Sequence, residues 1–262
     1  ILSEGGSLFI DNTSVALNFT QGNLAIGGGI LITGEAEASI INSTIYYNLM
    51  GLNSFGGGLY ILASEGNMDI EIVNTTIADN EVGEGGFGKG IFLDDNTPFE
   101  VSLTIKNTII ANSNENNYGQ SSSGPINLSR SYTLCQDATF PQGEINGNAN
   151  SVDPQIESFM NHGGETPTCL IGQNSPAVNA GTGEGVPETD QRGFPRSGNT
   201  DIGSFEYQYN TGLQIFSRKL EIVAFPNPAS ELVTFQIPDN SQATTIHILD
   251  ISRLLSFFKY YI

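Results

Sequence analysis

The sequence predicts an all-β solenoid, a chain wound into stacked coils of short strands, with a small incomplete sandwich-like group of strands at its end. Three observations carry this. First, a phrase recurs: Thr13-Ser14-Val15-Ala16-Leu17-Asn18, Ser43-Thr44-Ile45-Tyr46-Tyr47-Asn48, Thr75-Thr76-Ile77-Ala78-Asp79-Asn80 and Asn107-Thr108-Ile109-Ile110-Ala111-Asn112, with closing asparagines 30, 32 and 32 residues apart. A fixed period of this size marks a repeat architecture. Second, a glycine marker follows each of the first three phrases: Gly27-Gly28-Gly29-Ile30, Gly56-Gly57-Gly58-Leu59 and Gly86-Phe87-Gly88-Lys89-Gly90-Ile91. Third, alternating runs such as Asp69-Ile70-Glu71-Ile72-Val73 and Val101-Ser102-Leu103-Thr104-Ile105 read as strands with one buried face.

Each element then has a reason. One period is long enough for three strands of four to six residues at about 3.3 Å per residue, closing a triangular coil. Stacking places Val15, Ile45, Ile77 and Ile109 in one internal column and Ile30, Leu59 and Ile91 in a second. The closing asparagines Asn18, Asn48, Asn80 and Asn112 fall where the chain turns, a place suited to left-handed backbone, and can stack as an amide ladder. The glycines supply positive φ before the next strand. No helix follows them, so a phosphate-binding reading fails. Beyond a polar run at 113–124, irregular strands are expected at Ile126-Asn127-Leu128 and Ser131-Tyr132-Thr133-Leu134. The resulting division is repeats at 1–134, last coils and an end cap at 135–207, a linker at 208–220, and strands within 221–262. The cap is expected because a solenoid end exposes unpaired strand edges.

Composition narrows the function classes. The 262 residues are 38% hydrophobic and 14% charged, with 31 glycines and a formal net charge of −19 from 28 acidic and 9 basic residues. So few cations exclude the basic footprint that nucleic acid requires. The acidity fits a well-solvated surface and would suit divalent cations. No apolar run is long enough to span a bilayer as a helix. Cys135 and Cys169 leave two readings open, a disulfide or two small buried hydrophobes. His162 and His247 have no metal-ligand spacing. The opening Ile1 lies within a repeat, which reads as a fragment whose export signal lies upstream.

The Gly-Gly-Gly-Ile and Thr-Ile-x-x-Asn phrases resemble right-handed parallel β-helix repeats of the polymorphic outer-membrane and adhesin-like exoproteins, over about residues 8–112. The set Asp153-Pro154, Asn161-His162-Gly163-Gly164-Glu165-Thr166-Pro167-Thr168, Ser175-Pro176-Ala177-Val178-Asn179-Ala180-Gly181, Thr189-Asp190-Gln191-Arg192-Gly193 and Asp201-Ile202-Gly203-Ser204-Phe205-Glu206-Tyr207 resembles the choice-of-anchor module of Q type. Phe225-Pro226-Asn227-Pro228-Ala229-Ser230, followed by Leu232-Val233-Thr234-Phe235-Gln236-Ile237, is similar to the C-terminal sorting domain of type IX secretion in Bacteroidetes-like bacteria. The family's glycine turn and later strands are missing after Ile251-Ser252-Arg253, so that domain reads as truncated. These resemblances imply an exported protein of a Gram-negative bacterium, extracellular or attached to the outer-membrane surface, whose C-terminal segment engages the type IX machinery.

The candidate chemistry is sparse. Asp94-Asp95-Asn96 after a strand is a turn cluster or a groove carboxylate for Ca²⁺ or sugar. Asp190 with Arg192 reads as a loop tie through carboxylate or carbonyl hydrogen bonds, and Asp201 and Glu206 read likewise. Tyr46, Tyr47 and Tyr60 are candidates for stacking on sugars, with one of Tyr46 and Tyr47 facing outward. No residue is assigned a catalytic, cofactor-binding or metal-binding role. The leading expectation is an adhesin-like protein binding glycans or another surface. The alternatives are the C-terminal part of a carbohydrate-active enzyme, a polysaccharide lyase or glycoside hydrolase, whose catalytic coils lie upstream, and a passive stalk. A binder would show aromatics aligned on one face, an enzyme a groove with carboxylates and a base, and a stalk neither.

Overall fold

The computed structural model describes residues 1–94, 98–112, 115–121, 124–141 and 147–208, and the backbone of four strands beyond them. The chain forms two compact units, Ile1–Asn210 and Thr211–Ile262. Among the described residues there is no helix, so none crosses a membrane.

The first unit is a parallel β-solenoid. Coil one holds β1 (Leu2–Asp11) and β2 (Ser14–Ala16); coil two holds β3 (Ile30–Ile41) and β4 (Thr44–Tyr46). Coil three holds β5 (Leu59–Leu62), β6 (Met68–Val73) and β7 (Thr76–Ala78). Coil four holds β8 (Ile91–Asp94), β9 (Val101–Lys106) and β10 (Ile109–Ala111). Coil five holds β11 (Tyr118–Gln120), β12 (Ile126–Ser131) and β13 (Leu134–Cys135), and β14 (Ala149–Asn150) adds one more rung. Two sheets result. The wide one runs β11-β8-β5-β3-β6-β9-β12 with β1 also paired to β3, and the narrow one runs β14-β13-β10-β7-β4-β2.

The expected coil of three strands of four to six residues is met in number by coils three to five, but two of the three strands share the wide sheet. The alternation Ile30, Ile32, Ala36, Ala38, Ile40 keeps β3 on one sheet for twelve residues, and coils three and four break that stretch into two strands. The third side has no strand among the described residues. Isolated parallel bridges join Phe19, Leu49 and Glu81, and likewise Ile26, Phe55 and Phe87. Glycines and polar residues dominate that side and favour turns over extended pairing.

The interior columns follow the register. Ile30, Leu59 and Ile91 stack as expected, and Tyr118 extends the column. In the narrow sheet Val15, Ile45 and Ile77 are followed by Ile110 and Cys135, and Ile109 pairs with Thr76 instead. That one-residue correction has a local cause. Leu17, Tyr47 and Asp79 occupy a left-handed corner residue before the closing asparagine, whereas Asn112 directly follows Ala111. Coil four has lost that corner residue, so aligning the closing asparagines misplaces its strand by one.

The closing asparagines form the expected ladder. Each Nδ2 donates to the next Oδ1, from Asn18 to Asn48 (2.7 Å), to Asn80 (2.7 Å), to Asn112 (2.9 Å) and to Asn117 (2.9 Å). Asn117 N–H donates in turn to the Asp137 carboxylate at 2.9 Å. Asn48 and Asn80 are wholly buried, so these bonds satisfy groups that would otherwise be costly to bury. The expected left-handed backbone, however, belongs to other asparagines, Asn12, Asn42, Asn74 and Asn107, at the preceding corner. Of the glycine marker, Gly27, Gly56 and Gly88 carry the positive φ. Its last glycine makes room for the ladder: a Cβ on Gly29, Gly58 or Gly90 would lie 2.9, 3.2 or 2.7 Å from an asparagine Nδ2.

The apolar column Ile10, Ile40, Ile72, Ile105 ends in Arg130, which is buried, lies over the Phe140 ring at 4.4 Å and donates to Pro141 O and Asn150 Oδ1 at 3.0 Å. Tyr132 takes the left-handed corner, which corrects the strand expected across Ser131-Tyr132-Thr133-Leu134. Cys135 and Cys169 are separate buried thiols, and burial pushes Cys135 up to about 12.

Residues 135–207 were expected to hold the last coils and an end cap. β13 and β14 do extend the coils, and the segment beyond β14 folds back along the outer face of the narrow sheet. There Ile109, Ala111 and Leu134 pack with Ile171, Ala177, Ile202 and Phe205, and an antiparallel hairpin, β15 (Ile156–Met160) with β16 (Thr168–Ile171), sets Phe159 on Tyr46. Residues 209–220, read as a linker, lie outside the described residues.

The second unit contains two antiparallel pairs: β17 (Val223–Phe225) with β18 (Thr234–Gln236), and β19 (Thr245–Ile248) with β20 (Ser256–Lys259). The first three agree with the strands expected within 221–262. The fourth corrects the expectation that no strand follows Arg253.

Candidate functional site

The three sides of the coil differ in what they offer a ligand. The narrow sheet offers nothing, because the fold-back segment covers it. Tyr46 is stacked on Phe159 at 4.4 Å, and burial and the neighbouring Asp79 raise its phenol above the usual range.

The outer face of the wide sheet is open. Its outward columns read Ser7, Glu37, Asp69, Ser102 and Phe9, Ser39, Glu71, Thr104. Gly5, Gly6 and Gly34 take positive φ where the β1–β3 register shifts, and this bends the face into a groove. Two adjoining hollows of about 680 and 510 Å³ share Ser7, Glu37 and Asp69, with Glu35 and Glu100 on one and Glu71 on the other. No lysine, arginine or histidine lines either hollow. Such a surface attracts cations and can accept hydrogen bonds from hydroxyls. It contains carboxylates without a cationic base.

The third side carries exposed apolar side chains among its glycines and polar residues, where the wide sheet is acidic. Seven of the eleven exposed large hydrophobics among the described residues lie there: Leu17, Phe19, Leu24, Ile26, Tyr47, Leu52 and Phe87. Phe87 is 51% exposed and stacks on Phe55 with ring centroids 6.2 Å apart. Phe55 meets Phe92 at 5.0 Å, and Phe92 stacks on Tyr60 at 5.5 Å. The four rings thus run from the buried Tyr60 out to solvent at Phe87. Tyr47 is the exposed member of the Tyr46-Tyr47 pair.

The remaining residues singled out from the sequence take structural positions. Asp94 accepts from Tyr60 Oη at 2.5 Å and from Ser121 Oγ at 2.8 Å. Asp95 and Asn96 lie outside the described residues, as does the side chain of His247. Arg192 grips Asp190 through Nε (2.9 Å) and Nη2 (2.7 Å), donates to the carbonyls of His162 and Glu206, and sits 3.6 Å above the Phe205 ring. Asp190 is fully buried and also accepts the backbone N–H groups of Arg192, Phe194 and Glu206. Asp201 accepts from Asn179 N and Tyr207 N, yet burial pushes its carboxyl up to about 6.

Sequence reasoning passed over Arg196. It pairs with Glu206 at 3.2 Å and donates to Gly203 O and Asn42 Oδ1 at 3.0 Å. The Asn74 amide is satisfied with its oxygen facing this guanidinium, 3.0–3.1 Å from Nε, Nη1 and Nη2. Its side chain is 2% exposed, and burial lowers its pKa. Gln191 was also missed as a contact residue: Oε1 accepts from Thr44 Oγ1 at 2.6 Å while Nε2 donates to Ser14, Thr166 and Pro167. The only local signal was sparseness, since a lone arginine in a Gly-rich stretch has few ways to be satisfied except by burial among carbonyls. Among the described residues no group of three or more His, Cys, Asp or Glu could hold a metal ion. Compared over its whole length, the chain matches no family model, no curated protein and no solved structure.

Proposed function

We propose that this chain belongs to an exported, adhesin-like β-helix protein that binds glycans or another cell surface. The observation that carries the reading is the aromatic group reaching solvent at Phe87, in the bridged column Ile26–Phe55–Phe87, with the exposed Leu17, Phe19, Leu24 and Leu52 on the same side of coils one and two. An apolar patch of this kind on an otherwise acidic, weakly hydrophobic chain marks an interaction surface. Stacked coils repeat weak contacts along the axis, which suits multivalent attachment. No lysine, arginine or histidine lines the two hollows of the wide sheet.

The surface location rests on the resemblances in 153–207 and 225–237. On this reading the C-terminal segment is a type IX sorting signal and the preceding segment a choice-of-anchor module. A second reading, a glycoside hydrolase, draws on the groove carboxylates Glu37, Asp69, Glu71 and Glu100, because hydrolysis of a glycosidic bond needs two carboxyl groups and no base of another kind.

A glycan array together with a polysaccharide-degradation assay separates the two. Adhesion predicts binding that Phe87→Ala weakens and Glu37→Gln leaves intact. Turnover abolished by Glu37→Gln or Asp69→Asn overturns it in favour of hydrolysis. Fusion of 209–262 to a reporter in a type IX-competent cell tests the sorting signal; retention of the reporter inside the cell rejects it.

A further inference from the structure

We infer that the fold-back segment is a lateral clamp that makes coils one to four open together, where a bare solenoid would fray one coil at a time. Coils of a solenoid contact only their neighbours, so an unbraced terminal coil opens at the cost of a single interface. Within this stretch of chain coil one is joined to coil two by β1 on β3 and β2 on β4.

The fold-back segment bonds to every one of the four coils. On coil one, Thr166 Oγ1 donates to Asn12 O, Ser14 Oγ donates to Pro167 O, and Gln191 Nε2 donates to Ser14 Oγ. On coil two, Thr44 Oγ1 meets both Gln191 Oε1 and Ser204 Oγ, and Asn42 donates to Thr189 O at 2.9 Å. On coil three, Ser204 N–H donates to Thr76 Oγ1 at 3.1 Å. On coil four, Gly203 N–H donates to Asn107 O at 2.8 Å, and Asn107 Nδ2 donates to Thr182 O at 2.7 Å.

These grips are not independent. Arg196 bridges Asn42 of coil two and Asn74 of coil three to Glu206, and Arg192 joins Asp190 to the Glu206 carbonyl. Gln191, which holds coils one and two, lies between the two residues of the Asp190–Arg192 pair. Lifting coil one therefore pulls on Gln191, which also holds coil two and is flanked in the chain by the buried Asp190–Arg192 pair. Close fit reinforces the coupling: Gly203, at φ +103°, would bring a Cβ to 2.8 Å from both Ile109 Cδ1 and Thr76 Oγ1.

Equivalent amides report each interface: Thr44 N–H on Thr13 O, Thr76 N–H on Ser43 O and Ile109 N–H on Thr75 O. Native-state hydrogen exchange on the full chain should show these three with the same protection, within about 3-fold, and the same denaturant dependence. In Arg196→Met the protection should separate, Thr44 falling furthest. In the milder Gln191→Ala, which tests the idea if Arg196→Met does not fold, Thr44 should lose about 10-fold or more relative to Ile109, the factor that about one lost buried contact represents. Glu71→Ala, on the uncovered sheet, should leave the ratio unchanged. Thr44 exchanging through a separate, weakly denaturant-dependent opening in the wild type would overturn the inference. So would an unchanged Thr44-to-Ile109 ratio in the folded variants.

Discussion

The coils and the fold-back segment are stabilised in opposite ways. The coils repeat one solution: neutral amides on amides, isoleucine on isoleucine, every rung resembling its neighbour. The fold-back segment has almost no regular structure and is held by single groups that occur once, the Asp190–Arg192 and Arg196–Glu206 pairs in a dry interior. Repetition spreads stability thinly over many equivalent contacts. The unique network concentrates it, because a buried charge stripped of its partner cannot be re-solvated.

The largest expected effect tests that concentration. Arg196→Met removes the partner of Glu206, Asn42 and Asn74 together and should destabilise the first unit by about 3–5 kcal/mol in urea unfolding. A loss below about 1 kcal/mol would show the network to be dispensable. Next is position within the ladder. Asn80→Ala takes the Oδ1 acceptor from both the buried Asn48 N–H and Asn48 Nδ2 and should cost about 3 kcal/mol, while Asn18→Ala, an exposed position, should cost about 1 kcal/mol or less. Equal costs would mean that the ladder contributes no cooperativity.

Gly58→Ala probes the space around the ladder. Its Cβ would lie 2.7 Å from Gly90 O and 3.2 Å from Asn80 Nδ2, and a loss of about 1–3 kcal/mol is expected on thermal unfolding.

Acidity separates the two regions by sign. The Asp201 carboxyl is raised from 3.8 to about 6, so its contribution is fully present below 3.8 and is lost as pH rises through 6. Asp137 at the ladder's end is lowered despite its burial, by donation from Asn117, Thr139 and Cys135. Its contribution is present above 3.8 and lost as pH falls through its lower native value. Acidifying from about pH 7 to about pH 5 should thus tighten the fold-back segment and leave coil five unchanged, read by exchange of the Tyr207 and Asn117 amides. Asp201→Asn should flatten the first response and spare the second. The smallest expected effect on stability is at the surface: Phe87→Ala should change it by about 0.5 kcal/mol or less while weakening binding.

The coil was legible because its residues interact with copies of themselves one period away. The asparagine ladder, the Ile30 column and the positive-φ glycines could all be read from spacing. The register of the fourth coil could have been read too. The corner asparagines Asn12, Asn42, Asn74 and Asn107 lie 30, 32 and 33 residues apart, against 30, 32 and 32 for the closing set, and the difference is the missing corner residue. The aromatic group was half legible. Tyr60 was noticed, but Phe55, Phe87 and Phe92 become neighbours only when coils three and four stack on coil two.

The sequence by itself determined that this protein is a parallel solenoid, because a period of apolar, asparagine and glycine positions permits only stacking of like on like. Only the tertiary structure decided where residues 153–208 lie. They form no periodic contact with themselves, and their partners Ser14, Asn42, Thr44, Thr76 and Asn107 are 75 to 177 residues away for the bonds that fix them. Their placement along the side, and not across the end, follows from the fit of buried charges and small side chains to the narrow sheet. No local pattern encodes such a fit.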